Sequence, residues 1–255
     1  NLFAHYFAAL VLDHKIPLVW SMINEEDCNQ IRTFISQQIF NYNDNFLIIA
    51  TLARALAHIA VFDFPEKWSG YETYLFPENE NNVTFLILEA FFTDVEESKY
   101  ITGHRRQQLR NSLISNSEFF IPRIGIALNT PELSNSAIST FTAMSKWAPS
   151  ADIRPDFIEI IFNVFLVQPE TSKTAIKCLK TIFLKRTDSR SLFDRFKYAI
   201  LESLATSKLP TGQSITNDPL VIRFTISIFY QYMMPIEKLV VESENPKFHE
   251  YLNTL

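Results

Sequence analysis

The side chains in this sequence that could do chemistry are few and scattered. The densest group is His104-Arg105-Arg106-Gln107-Gln108-Leu109-Arg110. Arg105, Arg106 and Arg110 put three cations at the start of a helical pattern. That is either a solvated surface patch or a contact for an acidic partner or RNA phosphate, and phosphate contact would make binding strongly salt-dependent. Arginines at a helix start oppose the helix dipole, a mild cost that favours the partner reading. Arg54 and His58 lie one turn apart on one helix face and read as a buried polar pair rather than a metal site. Glu96 and Glu97 are sequence neighbours, so on a helix they point about 100° apart and make a poor acid–base pair. Cys28 and Cys178 are far apart and read as small core residues of a reducing compartment, with no disulfide. Gly-x-Gly-x-x-Gly, Gly-x-x-x-x-Gly-Lys-Ser/Thr, His-Glu-x-x-His and Cys-x-x-Cys do not occur. The expectation is a protein that is not an enzyme, with no cofactor and no metal.

The elements that position these residues are organised around two corners. One is Lys15-Ile16-Pro17-Leu18-Val19-Trp20; the other is Phe64-Pro65-Glu66-Lys67-Trp68. Each closes an apolar, helix-periodic run and opens a more polar one. They lie about 48 residues apart, within the period of stacked helical hairpins. Trp20, Trp68 and Trp147 read as corner-packing residues, with direct partner contact the lesser alternative. The bulk composition agrees. Four glycines in 255 residues disfavour turn-dense β folds, and 47% hydrophobic content with 23 phenylalanines supplies a continuous core. A net charge of −5 argues against a general nucleic-acid binder.

Along the chain, an apolar helix runs to Ile16 and Pro17 stops it. Asn24 caps a second helix that has acidic first-turn residues and runs to about Tyr42, with Cys28, Ile31, Ile35 and Ile39 on one face. A nearly all-apolar helix covers Asn45 to Phe62. Its length approaches a membrane span, but the central Arg54 and His58 favour a helix buried in a stack, so no membrane insertion is expected. Pro65 starts a shorter helix through Tyr74. Val83 to Val95 is apolar, and the helix opened by His104 kinks or breaks near Ile121 at Pro122. Leu133–Trp147, Asp156–Val167 and Thr171–Lys185 follow, the last with Ala175, Cys178, Leu179 and Ile182 on one stripe. Another helix begins at Asp188 and runs through Leu204. Residues 206–219 are the one linker, and 220–255 continue in helical pattern. No segment alternates like a strand. The fold class expected is all-α: roughly five or six helix pairs, each with an apolar side that only stacking can cover. The start at Asn1, already inside a helical pattern, predicts a fragment. Asn82-Val83-Thr84 matches a glycosylation sequon, a triplet common by chance.

Four stretches resemble the N-terminal part of the importin-β superfamily, and within it the exportins. They are Phe3 to His14 with Trp20; Phe64-Pro-Glu-Lys-Trp68; Phe85 to Val95 followed by His104-Arg-Arg-Gln-Gln-Leu109; and Ile138-Ser-Thr-Phe141 through Trp147 with Ala175-Ile-Lys-Cys-Leu179. The likeness spans most of residues 1–186, in order. In Thr93-Asp94-Val95-Glu96-Glu97 the acids do not precede the valine as is usual in the family, which blurs the branch.

The resemblance implies a right-handed superhelical solenoid of antiparallel helix pairs (HEAT repeats, ARM-like), with residues 1–205 as N-terminal repeats. It implies binding of the GTPase Ran in its GTP form through inner helices. It also implies transport of export cargo, protein or RNA, contact with phenylalanine-glycine nucleoporins, and shuttling between nucleus and cytoplasm through the nuclear pore. The stripe Glu26, Gln30, Thr33 and Gln37 falls on the second helix of its pair, which lines the inner surface in this family. Glu66, Lys67 and Tyr71 occupy the equivalent place in the next pair. Each set is either Ran contact or an ordinary solvated face. An import receptor of the importin-β type is an alternative to the exportin reading. So is a Ran-independent HEAT scaffold, such as a phosphatase or vesicle-coat subunit.

Overall fold

The structure, a computed structural model, describes residues 2–42, 45–68, 70–71, 81–166 and 168–196. Every regular element among them is helical. The chain divides into two compact units, Asn1–Pro149 and Ser150–Leu255. This division falls inside the segment 1–205 that the sequence reading keeps together. The expected linker 206–219 and the helices of 220–255 lie outside the described residues.

In the first unit the helices are α1 (Leu2–Val19), α2 (Glu25–Asn41), α3 (Phe46–Asp63), α4 (Asn82–Glu97), α5 (Gly103–Ser115), α6 (Ser117–Leu128) and α7 (Ser134–Met144). Four of them start on a side-chain cap that accepts a hydrogen bond from the backbone N–H three residues on. Asn24 caps α2, Asn45 caps α3, Asn81 caps α4 and Thr102 caps α5. Each cap satisfies one of the amides that a helix start leaves orphaned. Glu25, Glu26 and Asp27 add negative charge at the positive end of α2.

Packing follows hydrophobicity. α1 packs on α3, α3 on α4 and α4 on α7, while α2 lies against α3 and α6 against α7. α3, apolar nearly all round, is therefore covered by α1, α2 and α4, and 67% of its span is buried. Leu2–Met22 is also apolar and long enough to cross a membrane, and 17% of it is buried. An aromatic spine ties the unit together. Phe64 meets Phe91 at 5.4 Å, Phe92 meets Phe120 at 5.1 Å, and Phe92 meets Trp147 at 5.5 Å between ring centroids. Edge and tilted contacts of this kind add to the area each ring buries.

Three expectations about boundaries are corrected. α1 continues through Pro17 to Val19, and a 3-10 turn, Trp20–Met22, makes the corner. Proline so near the helix end sacrifices one backbone bond, and burial of Ile16 and Pro17 offsets that loss. The break expected near Ile121 falls at Asn116 instead, and Pro122 lies inside α6. The Asn116 side chain donates back to the Ser112 carbonyl at 2.7 Å and ends α5. At the second corner residues 64–67 form a turn, with Lys67 N–H donating to the Asp63 carbonyl at 2.8 Å. Of the helix expected from Pro65 to Tyr74, only Tyr71 is described as helical. In the sequon, Asn82 is the first residue of α4 and accepts from the Ser136 hydroxyl, and Thr84 is buried.

In the second unit, α8 (Pro155–Ile160) widens into a π turn at Ile161–Phe165, and α9 (Pro169–Lys180) does the same at Thr181–Lys185. Residues 189–196 are helical. The expected stripe of Ala175, Cys178, Leu179 and Ile182 is fully buried. Asp188 accepts two hydrogen bonds from Arg186, at 2.6 and 2.7 Å, and one from the Ser150 hydroxyl at 2.6 Å. The Arg186 bonds are the main reason its carboxyl is held down at about 2.

Candidate functional site

The two tryptophan corners meet. Trp20 Nε1 donates to Asp63 Oδ1 at 3.0 Å, and Arg32 Nη2 donates to Asp63 Oδ2 at 2.7 Å. The Arg32 guanidinium lies 5.3 Å from the Trp68 ring centroid. Its Nη1 donates to the Lys67 carbonyl and to Asn29 Oδ1. Arg32 and Asp63 are both buried. One buried ion pair thus links the end of α1, the first half of α2, the end of α3 and the turn beyond it. Burial pushes the Asp63 carboxyl up, and the Trp20 hydrogen bond and the Arg32 charge hold it back. Sequence reading missed this pair. The signal was present: Arg32 falls on the same stripe as Cys28, Ile35 and Ile39, where a charge demands a buried partner. Cys28 and Cys178 are free and buried as expected. Burial first, then the Asp63 carboxylate, pushes the Cys28 thiol up, away from a reactive thiolate.

The predicted stripe of α2 is exposed. Glu26, Gln30, Thr33 and Gln37 all face solvent. Between them stands an unpredicted aromatic, Phe34, 54% exposed. Asn29, Gln30, Thr33, Phe34 and Gln37 line a shallow depression of about 360 Å³. Glu66 and Lys67 are exposed on the turn after α3. Tyr71 is half-buried, its hydroxyl donating to Asn116 Oδ1 at 3.2 Å and its ring 4.8 Å from that of Phe64.

The basic cluster is engaged within the chain. Arg105 donates to the carbonyls of Val61, Phe62 and Phe64 at 3.0, 3.0 and 2.5 Å, and to Glu66 Oε2 at 3.3 Å. Arg106 donates to the carbonyls of Val95 at 2.9 Å and Ser98 at 2.6 Å. Arg110 pairs with Glu96. The dipole argument therefore acts across helices. Each of the first two guanidiniums sits at the start of α5, and each clasps the carbonyl-rich end of an earlier helix, α3 or α4, where a cation is favoured. Arg105 also joins the two predicted sets, because its partner Glu66 belongs to the other.

Arg54 and His58 are not a buried pair. Arg54 has a 55% exposed side chain and binds Asp13 at 2.7 Å. His58 stands between Asp13, 3.3 Å from Nε2, and Asp94, 2.6 Å from Nδ1. Burial opposes its charge, but the two carboxylates outweigh that and raise it to about 9. It is an imidazolium bridging α1, α3 and α4. No group of three His, Cys, Asp or Glu side chains able to hold a metal occurs among the described residues.

A groove of about 360 Å³ crosses α1, α3 and α4, with Leu47, Ala50, Leu86 and Ala90 on its walls and Arg54 and Glu89 among its polar residues. Comparison with known proteins finds no matching family model and no matching curated protein.

Proposed function

We propose that this chain is the N-terminal part of an exportin-like nuclear transport receptor, a HEAT-type solenoid that binds Ran-GTP and takes part in cargo export. The observation that carries this reading is the junction of the two corners through Trp20, Asp63, Arg32 and Trp68. It makes successive helix pairs one mechanical unit and leaves the polar face of α2 free for a partner. Successive packing of α1, α3, α4 and α7, with α2 and α6 on flanking helices, supports a stack of pairs.

In this reading Glu26, Gln30, Thr33, Gln37, Glu66 and Lys67 contact the GTPase around Phe34, an aromatic of the kind that anchors interfaces. Tyr71 supports the turn that carries Glu66 and Lys67. Because Arg105, Arg106 and Arg110 already hold internal partners, protein cargo fits better than RNA. The apolar groove across α1, α3 and α4 suits phenylalanine side chains of nucleoporin repeats. Ran and cargo both favour the closed curvature of a solenoid, which makes their affinities reciprocal.

The test is calorimetric titration of the chain, and of the full-length receptor, with Ran carrying a non-hydrolysable GTP analogue, with Ran-GDP as control. Selective binding of the GTP form, weakened when Glu26, Gln30 and Lys67 are changed together, supports the proposal. Equal or absent binding of both forms by the full-length protein moves the reading to a Ran-independent HEAT scaffold.

A further inference from the structure

Charge is segregated in the second unit. Residues 171–196 hold four lysines, three arginines and two aspartates, a surplus of five positive charges in a chain whose net charge is −5. The arginines are engaged. Arg186 binds Asp188, Arg190 binds Asp194, and Arg195 donates to the Ser150 carbonyl and lies over the Phe196 ring. The lysines are not engaged. Lys173, Lys177, Lys180 and Lys185 have no ion-pair partner among the described residues, where the unit's pairs are Arg154–Asp156, Arg186–Asp188 and Arg190–Asp194. Lys173, Lys177 and Lys185 are exposed and Lys180 is half-buried.

The four lysines share one face. Lys173, Lys177 and Lys180 stand at i, i+4 and i+7 of α9. In an unbroken α-helix Lys185, twelve residues after Lys173, would point about 120° away. It ends the π turn Thr181–Lys185 instead, and a π turn takes in one residue more than an α turn. Lys185 therefore stands where i+11 would, and the stripe runs for about 16 Å. The opposite side of α9 belongs to the core: Ala175, Ile176, Cys178 and Leu179 are buried. The helix dipole favours Lys177 and Lys180 in the last turn, but not Lys173 in the first half of the helix. Glu170, the one carboxylate on α9, lies in its first turn.

We infer that this stripe is a docking surface for an acidic polypeptide segment, whose Asp and Glu carboxylates pair with Lys173, Lys177, Lys180 and Lys185. The inference does not depend on the GTPase reading. An ammonium is a point charge that pairs with carboxylate or phosphate alike, so its surroundings choose the partner. A nucleic acid favours free guanidinium forks and aromatic platforms. Here the arginines are taken, and Val164 is the one large apolar side chain exposed among the described residues of the unit. An anionic membrane favours a helix with an apolar face to insert, and the apolar face of α9 is buried. A run of carboxylates needs only the lysines.

The experiment is calorimetric titration of the 255-residue chain with a capped peptide of alternating Glu and Ala, about twelve residues long, enough to cover the stripe. The matching Gln-Ala peptide, a uridine oligonucleotide of the same length and phosphatidylserine vesicles are titrated beside it. The expected result is saturable binding of the Glu peptide, about tenfold or more tighter than the Gln peptide, and weaker when salt is raised from about 50 to 300 mM. Lys173→Gln with Lys177→Gln is expected to weaken it about fivefold, as the loss of two exposed ion pairs requires. Lys185→Gln should weaken it as much as Lys177→Gln alone. Lys15→Gln with Lys99→Gln removes the same charge from exposed positions of the first unit and should leave affinity unchanged. All these positions are exposed, and thermal melts check that each variant folds. Absence of saturable binding of the Glu peptide overturns the inference, as does equal binding of the Gln peptide or equal weakening by the two double variants. Tighter binding of the oligonucleotide or the vesicles gives the surface to nucleic acid or membrane and overturns it too.

Discussion

Arg32 and Asp63 meet at 2.7 Å, both buried, at the place where Trp20 and Trp68 converge. Removing one partner strands a charge with no water to receive it. Arg32→Met or Asp63→Leu alone is expected to destabilise the chain by about 3–5 kcal/mol. The double change, which strands no charge, is expected to be much less harmful than the sum of the two. Urea denaturation of the four proteins measures the coupling. Additive losses would mean that the ion pair does not join the corners.

His58 gives the first unit a pH dependence in the alkaline direction. Its folded value of about 9 lies above the ordinary 6.5. The stabilisation is therefore complete below about pH 6.5 and is lost as pH rises through 9. The groups facing it are Asp13 from α1, Asp94 from α4, the Tyr100 ring with its centroid 6.3 Å away and, through Asp13, Arg54 from its own helix. The loss is on the order of 3 kcal/mol. Denaturation midpoints at pH 6, 7.5 and 9 should fall for the native chain and stay nearly level for His58→Gln. A level profile in the native chain would remove the imidazolium bridge.

Much of the helical order was legible because its signals are local. Asn24 before three acids, the nearly all-apolar run of α3, and the stripe of Ala175, Cys178, Leu179 and Ile182 each fix an element without reference to the rest of the chain. The proline expectations failed because a proline's effect depends on position and surroundings. Pro17, itself buried and near the end of α1, costs little, and at Pro122 the helix carries on while Asn116 makes the break. The pairings were illegible for a different reason. Asp13 and Asp63 are isolated acids in sequence and Asp94 is one of a run with Glu96 and Glu97, and only packing brings the three aspartates to Arg54, Arg32 and His58. The partners of the α5 arginines were hidden as well: Arg105 and Arg106 bind chiefly backbone carbonyls, which no side-chain pattern announces, and Arg110 reaches Glu96 on a neighbouring helix.

Arg105 holds three carbonyls and a carboxylate with one planar fork. Lysine cannot reproduce that geometry. Arg105→Ala and Arg105→Lys are both expected to cost about 2–3 kcal/mol, with little difference between them. Chemical denaturation checks this. Full recovery by lysine would show that charge near the end of α3 is sufficient and the fork unnecessary.

The face of α2 separates interaction from stability most cleanly. Phe34 is 54% exposed and stands among Gln30, Thr33 and Gln37. A side chain so placed adds little to the fold, so Phe34→Ala should change stability by no more than about 0.5 kcal/mol. At the centre of an interface the same truncation removes an aromatic anchor and costs about 2 kcal/mol or more, roughly thirtyfold in affinity. Phe34→Ala in the full-length receptor should therefore bind Ran-GTP at least thirtyfold more weakly while melting normally. A variant with undiminished affinity would move the GTPase contact off α2, even if the receptor still distinguished the two nucleotide states.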